Sequence, residues 1–270
     1  MKSLWPIAYI TFKEGIRNRT IYGISIFALL VLSINLLICS MIMREVSKVA
    51  VDIALSSVSF AGLLVVLFVG INLLAKDFDK KTIYMVLSKP VSRSHYIIGK
   101  FLGISALILV LMLILGVFAY LSIFLVKITY PSYFAKISVS MIFLALVYAS
   151  IGLLLLLSTA FLFAAISSNS FVTFMLTVIT YIVGHSIGDV KEMLAMPDTY
   201  GVTSSTSLQK IVDVAYYVFP NLSFFDLKAQ AANVISVSIK YYLFSAGYGL
   251  FYIALVLFLA SMVFHRREFP

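Results

Sequence analysis

The sequence predicts an all-α polytopic membrane protein with six transmembrane helices, and three observations carry that expectation. The chain of 270 residues is 62% hydrophobic and 11% charged, whereas soluble domains carry about 25% charged residues. Its mean hydropathy is +1.09. Its charges are spaced so that uncharged runs remain at 20–43, 53–75, 101–126, 137–188 and 241–265. A helix needs about 20 apolar residues to cross a ~30 Å hydrocarbon core. Four runs therefore fit one crossing each, and 137–188 fits two, parted at Ser167-Ser168-Asn169-Ser170. Lipid offers no partner to an unbonded backbone group, which favours helices, and no run alternates as a membrane barrel does. The expected spans lie near 21–43, 54–75, 101–126, 138–166, 171–188 and 243–264, within a single transmembrane domain covering 1–270.

Lysine and arginine set the orientation, because cytoplasmic loops hold them in excess. With the N-terminus inside, the inner segments hold twelve: Lys2, Lys13, Arg17 and Arg19, then six in 76–100, then Arg266 and Arg267. The outer loops hold Arg44, Lys48, Lys127 and Lys136, with four more in the long loop 189–240, which weighs less. Both termini are expected to be cytoplasmic. The net charge of +9 is then largely topological and calls for no nucleic-acid partner. The single Cys39 lies in the first span and excludes an internal disulfide.

Residues 1–20 read as an amphipathic N-terminal helix at the interface, with Leu4, Ile7, Ala8, Ile10 and Phe12 against Lys2, Lys13, Glu14, Arg17 and Arg19. Gly15 and Asn18 weaken it before the first span. Spans one and two each carry one amide, Asn35 and Asn72. Such groups either hydrogen-bond between helices or line a substrate path, and both readings stay open here. Within these span limits there is no Asp, Glu, Lys or Arg. Ion-coupled carriers need ionisable groups in the bundle, so energy is expected to enter from outside the chain.

The segment from Lys76 to Lys100 is the densest charged stretch, holding six of the 20 Lys and Arg residues. It reads as helix, break, helix. Phe78, Ile83, Val86 and Leu87 give a partly apolar face, Pro90 ends the first piece, and Ser92 has the chemistry of an N-cap for a helix running into span three. Its plain alternative is a charged loop that only sets topology. The 52-residue loop 189–240 is expected outside as a cap, with an amphipathic helix through Leu208, Ile211, Val212, Ala215 and Phe219 ending before Pro220, and a second helix over 229–242. His185, Asp189 and Glu192 share one helix face. Metal ligands can be so spaced, but so are the residues of a hydrated helix end, which is the reading adopted, so no metal site is assigned.

No phosphate-cradling G-x-x-x-x-G-K-[ST] loop occurs in the sequence, and neither do H-E-x-x-H or G-x-S-x-G. His95, His185 and His265 are scattered at span ends, so no catalytic residues are assigned.

The stretch Asp79-Lys80-Lys81-Thr82-Ile83-Tyr84-Met85-Val86-Leu87-Ser88-Lys89-Pro90-Val91-Ser92-Arg93, followed by Gly99-Lys100, resembles a pattern of the permease subunits of ABC-2-type ATP-binding-cassette transporters. The resemblance extends over the chain, from Phe12-Lys13-Glu14-Gly15-Ile16-Arg17-Asn18-Arg19 through six spans to a long outer segment before the last. Asp79 stands where that family commonly has Glu. Pro220-Asn221 with Phe225-Asp226-Leu227 is similar to the subgroup that includes permeases of nitrous-oxide-reductase copper maturation. The resemblance implies a multi-pass protein of the plasma (cytoplasmic) membrane that exports a substrate, working as a homodimer or paired permease with a cytosolic ATP-binding subunit and needing no cofactor of its own. It places ATPase coupling in the cytoplasmic loop 76–100, on Phe78, Asp79, Lys81, Thr82, Ile83, Tyr84, Leu87, Pro90 and Arg93, beside the N-terminal helix. Asn35 and Asn72 are the candidate substrate-path residues. A membrane component of an extracytoplasmic copper-protein maturation system is the alternative, and an ion-coupled carrier a further one.

Overall fold

In the computed structural model the described residues are 4–42, 45–74, 92–134, 138–167, 169–195, 206–235 and 237–266. Among them six helices are long and apolar enough to cross a membrane, and there is no strand. In chain order the helices are α1 (Leu4–Ile16), α2 (Arg19–Met41), α3 (Val46–Leu74), α4 (Arg93–Thr129), α5 (Val139–Ile166), α6 (Ser170–Ala195), α7 (Thr206–Val218), α8 (Lys228–Asn233) and α9 (Ile239–Arg266). Helices α2 to α6 and α9 are the six candidate spans. The expected membrane fold is therefore present.

The helices run past the uncharged segments that announced them. Helix α3 begins eight residues before the expected 54 and takes in Lys48 and Asp52, and α4 begins at Arg93 rather than near 101. Charge marks where lipid ends, not where hydrogen bonding ends. At 37 residues, α4 is about 55 Å long at 1.5 Å per residue, far beyond a ~30 Å hydrocarbon core. Ser92 caps its start: the backbone is extended there and the hydroxyl accepts from His95 N at 3.3 Å. Lys100 thus sits inside a helix and is 4% exposed, which corrects the expectation of a bundle with no ionisable group.

The chain enters through a tight joint. Asn18 breaks the helix and caps α2, its Oδ1 accepting from Thr20 N at 3.0 Å. Before it, α1 lies along the first turns of α4. Ala8, Thr11 and Gly15 form its buried face, at the three- and four-residue spacing that stays on one side of a helix. Glycines on α4 receive it. A Cβ on Gly103 would stand 2.5 Å from the carbonyl oxygen of Ala8, and one on Gly99 would stand 3.0 Å from Ile7. Leu107 meets Gly15 further along, so contacts advance together and the two helices run in the same sense. The opposite edge of α1 presents Trp5 (79% exposed), Tyr9 and Ile10.

Helix α4 touches α1, α2, α3, α5 and α9, while the most extensive helix pair in the bundle is α5 against α9. Tyr148 of α5 donates to the carbonyl of Tyr242 in α9 at 2.6 Å. In α6 the hydroxyls of Thr177 and Thr180 donate to carbonyls four residues back, which lets that polar row be buried at no cost in unpaired groups. Helix α3 widens to a π turn over Val65–Gly70, a local change of register often found near functional positions.

Helix α7 forms where the amphipathic pattern of the long loop placed it, and α6 is its main partner. The second expected helix, over 229–242, is two. Helix α8 stops at Asn233, Val234 takes a left-handed conformation at φ 53°, and α9 starts at Ile239. A branched side chain in that region costs about 1–2 kcal/mol. Ala231 and Ala232 are buried as α8 packs on α3, and one continuous helix could not hold that contact and enter α9.

The α1–α4 contact yields a stability prediction. Gly103→Ala, which drives a Cβ into rigid backbone, should cost about 1–3 kcal/mol and lower the thermal midpoint in detergent. Gly23→Ala, where a Cβ meets nothing within 4 Å, should leave it level or slightly raised. Equal midpoints for the two variants would place α1 away from α4.

Candidate functional sites at the two ends of the bundle

Helices α3 and α4 are linked through residues 75–91 at the end of the bundle that holds α1, and that end takes the name hairpin end from the link alone. Residues 75–91 lie outside the described residues, and with them Phe78, Asp79, Lys81, Thr82, Ile83, Tyr84, Leu87 and Pro90. Arg93 is described, and its Nη1 donates to the carbonyl of His265 at 3.0 Å. A cleft of about 590 Å³ opens beside the root of the hairpin, lined by Lys13 and Glu14 of α1, by Arg17 and Asn18 of the joint that follows it, and by exposed Asn72 in the last described turn of α3. Basic and amide side chains thus gather where α1, α2 and α3 meet.

Asn35 lies elsewhere. It is 0% exposed and its amide joins three helices. Nδ2 donates to Ala50 O of α3 at 3.1 Å and to Ser122 Oγ of α4 at 3.2 Å. Oδ1 accepts from Cys39 Sγ at 3.5 Å, and Ser122 Oγ in turn donates to Leu32 O at 2.9 Å. The structure does not bring Asn35 and Asn72 together: Asn35 sits among helix contacts in the interior and Asn72 faces the open cleft.

The far end holds a larger cleft of about 930 Å³. Its floor is the segment between α7 and α8, which folds back into the bundle instead of resting above it. Leu222 N donates to the carbonyl of Gly184 in α6 at 2.8 Å. Phe225, 2% exposed, fills a socket whose walls must be glycine: a Cβ on Gly249 of α9 would stand 2.7 Å from its ring, and one on Gly152 of α5 would stand 3.1 Å from its Cβ. Asn221 N donates to Tyr248 OH at 3.1 Å, and Asn221 Oδ1 accepts from Ser223 N at 3.1 Å. Tyr252 OH donates to Val218 O at 3.1 Å, so α9 tyrosines hold the chain where it leaves α7. This inward fold is what the sequence reading missed. The cluster of Leu222, Phe224, Phe225 and Leu227 was its signal, since a purely exposed cap has no use for so much apolar surface.

Charges rim the far cleft. Lys228 pairs with Asp226 at 3.1 Å and Lys191 with Asp213 at 3.2 Å, and the Lys191 ammonium stands 4.0 Å from the centre of the Tyr216 ring. Asp52 and Asp189 face the same space. His185 turns its Nδ1 to the carbonyl of Tyr181 at 3.2 Å, with the two rings 4.4 Å apart. Among the described residues no three of His, Cys, Asp and Glu come within reach of one metal ion; the Glu192 side chain lies outside them. The two clefts differ in chemistry. The hairpin end is basic and lies against an amphipathic helix, while the far end is a mixed-charge, aromatic vestibule.

The family model described as ABC-2 family transporter protein matches residues 5–269, which is nearly the whole sequence, and the chain belongs to that family. No curated protein shows a significant match to it.

The Asn35 contacts make a prediction that separates packing from passage. Asn35→Ala should lower stability by about 0.6–2 kcal/mol, read as the thermal midpoint of the detergent-solubilised protein. A variant of unchanged midpoint and altered transport would instead put Asn35 on the substrate path.

Proposed function

We propose that this ABC-2 permease exports its substrate across the plasma membrane using ATP hydrolysed by a separate cytosolic subunit, and that the hairpin 76–100 is where this energy enters. The observation that carries the reading is the position of its two flanking helices. The hairpin leaves from α3 and returns into α4, the two most buried of the six spans, and α4 meets five other helices. A displacement applied to that hairpin acts on the centre of the bundle instead of its rim. Helix α1, packed on the first turns of α4, sets a second surface beside the same root.

In this reading Phe78 to Leu87 dock into the ATP-binding subunit, with Asp79, Lys81 and Thr82 as polar contacts, Pro90 as the joint and Arg93 at its base. Both termini face the cytosol, in keeping with the excess of Lys and Arg at the hairpin end. Two copies of the chain pair around a shared path, with Asn72 near its cytosolic mouth and the far cleft at its exit. Helix α1 lies at the membrane surface, Trp5 and Tyr9 at headgroup depth, where such rings concentrate.

The docking residues give the test. Tyr84→Asp or Leu87→Asp would desolvate a carboxylate in the interface, and each should weaken association with the co-expressed ATP-binding subunit by at least about tenfold, the equivalent of ~1.4 kcal/mol. Membrane insertion should be intact in both. Undiminished co-purification of that subunit with both variants would return the hairpin to a topology signal.

A further inference from the structure

The first two turns of α4 carry two cations seven residues apart, and the structure uses both in the same manner. Lys100 Nζ donates to the carbonyl of Leu73 at 2.5 Å, in the final described turn of α3. Arg93 Nη1 donates to the carbonyl of His265 at 3.0 Å, in the final described turn of α9. A main-chain carbonyl oxygen has two lone pairs, so it can take a cationic side-chain donor beside a helical one. Between the two cations, Tyr96 (1% exposed) stacks on Phe264 of α9, ring centres 6.1 Å apart at 17°, and lies 5.6 Å from Lys100 Nζ. Ser261 of α9 donates to Ser94 at 2.8 Å. Arg93, Tyr96 and Lys100 fall at i, i+3 and i+7, one side of a helix.

Helices α3 and α4 are joined by the hairpin itself. Helix α9 has no such covalent tie; at this end it meets the root of α4 through Arg93, Ser94 and Tyr96. Its most extensive partner is α5, so whatever moves α9 acts on the other half of the bundle. We propose that Arg93 and Lys100 are positioning residues: they clamp the ends of α3 and α9 onto the start of α4, so that displacement of the hairpin is carried into α9 as well as into its own two helices. The inference rests on the hairpin being the point of energy input. Burial strengthens the Lys100 contact, because few waters compete for a charge held in a poorly polarisable interior.

Spin labels on the complex with its ATP-binding subunit, in nanodiscs and in a Cys39→Ser background, test this. Labels at 92 and 266 report the clamp by dipolar broadening. Pairs 98–190 and 262–190 report movement of α4 and α9 against the far end of α6. The wild-type chain should keep the 92–266 broadening with and without vanadate-trapped nucleotide, and both long distances should shift on trapping. Arg93→Met, which keeps an apolar stem and removes charge, should lose the 92–266 broadening and the 262–190 shift while keeping the 98–190 shift. Lys100→Met should keep the 92–266 broadening and lose that of a 72–98 pair, which reports α3 against α4. Arg93→Lys and Lys100→Arg should each restore what the Met variant loses. Half-buried Arg93 supplies the variant should Lys100→Met fail to accumulate. Broadening and a 262–190 shift that survive in Arg93→Met overturn the clamp, as does a wild-type chain in which only 98–190 shifts. If neither distance shifts in the wild type, it is the hairpin reading that fails, and the transmission with it.

Discussion

Lipid tails are as apolar as leucine, so burial of apolar side chains does little to press one membrane helix on another. What remains is close backbone approach and hydrogen bonding between helices, and here both converge on α4. Its glycines at 99 and 103 admit α1 to backbone contact. Its Ser122 bonds α2 at Leu32 O and at Asn35, whose amide goes on to Ala50 O of α3, and its Lys100 reaches Leu73 O. The acceptors are mostly main-chain carbonyls of neighbouring helices, whose oxygens have two lone pairs and so room for a side-chain donor. Polar glue of this kind needs few polar residues, which is why a chain so poor in charge still forms a specific bundle.

Membrane membership was legible because apolar length is a property of local sequence. The six spans follow from run lengths alone. Helix limits were less legible: hydropathy sees where lipid stops, and α3 and α4 continue beyond it, carrying Lys48, Asp52 and Lys100 inside helices. The joint at Asn18 and the cap at Ser92 were readable because capping chemistry is also local. Val234 carried no such sign. Its conformation follows from α8 being held against α3, a constraint imposed by residues nearly two hundred positions away.

The same division holds for the sites. The 76–100 segment announces itself by composition, but the contacts of Arg93, Ser94 and Tyr96 with α9 exist only in the folded chain. At the far end, the residues Pro220-Asn221 and Phe225-Asp226-Leu227 stand out as a motif, yet nothing local says they turn inward. Their destination is written in Gly152, Gly184 and Gly249, on three different helices. An ABC-2 permease therefore joins a hairpin end that is legible in outline to a vestibule that emerges from tertiary packing.

The Phe225 socket also dictates an order of events during biosynthesis. Its walls come from α5 and α9, and α9 follows the Phe225 segment in the chain. Until α9 has partitioned into the bilayer, the segment that precedes it has a ring with nowhere to rest and an Asn221 amide without the Tyr248 hydroxyl. Seating of that segment must then follow the insertion of α9. A nascent chain without α9 would leave the aromatic cluster around Phe224 and Phe225 without the Tyr248 and Gly249 face that covers it.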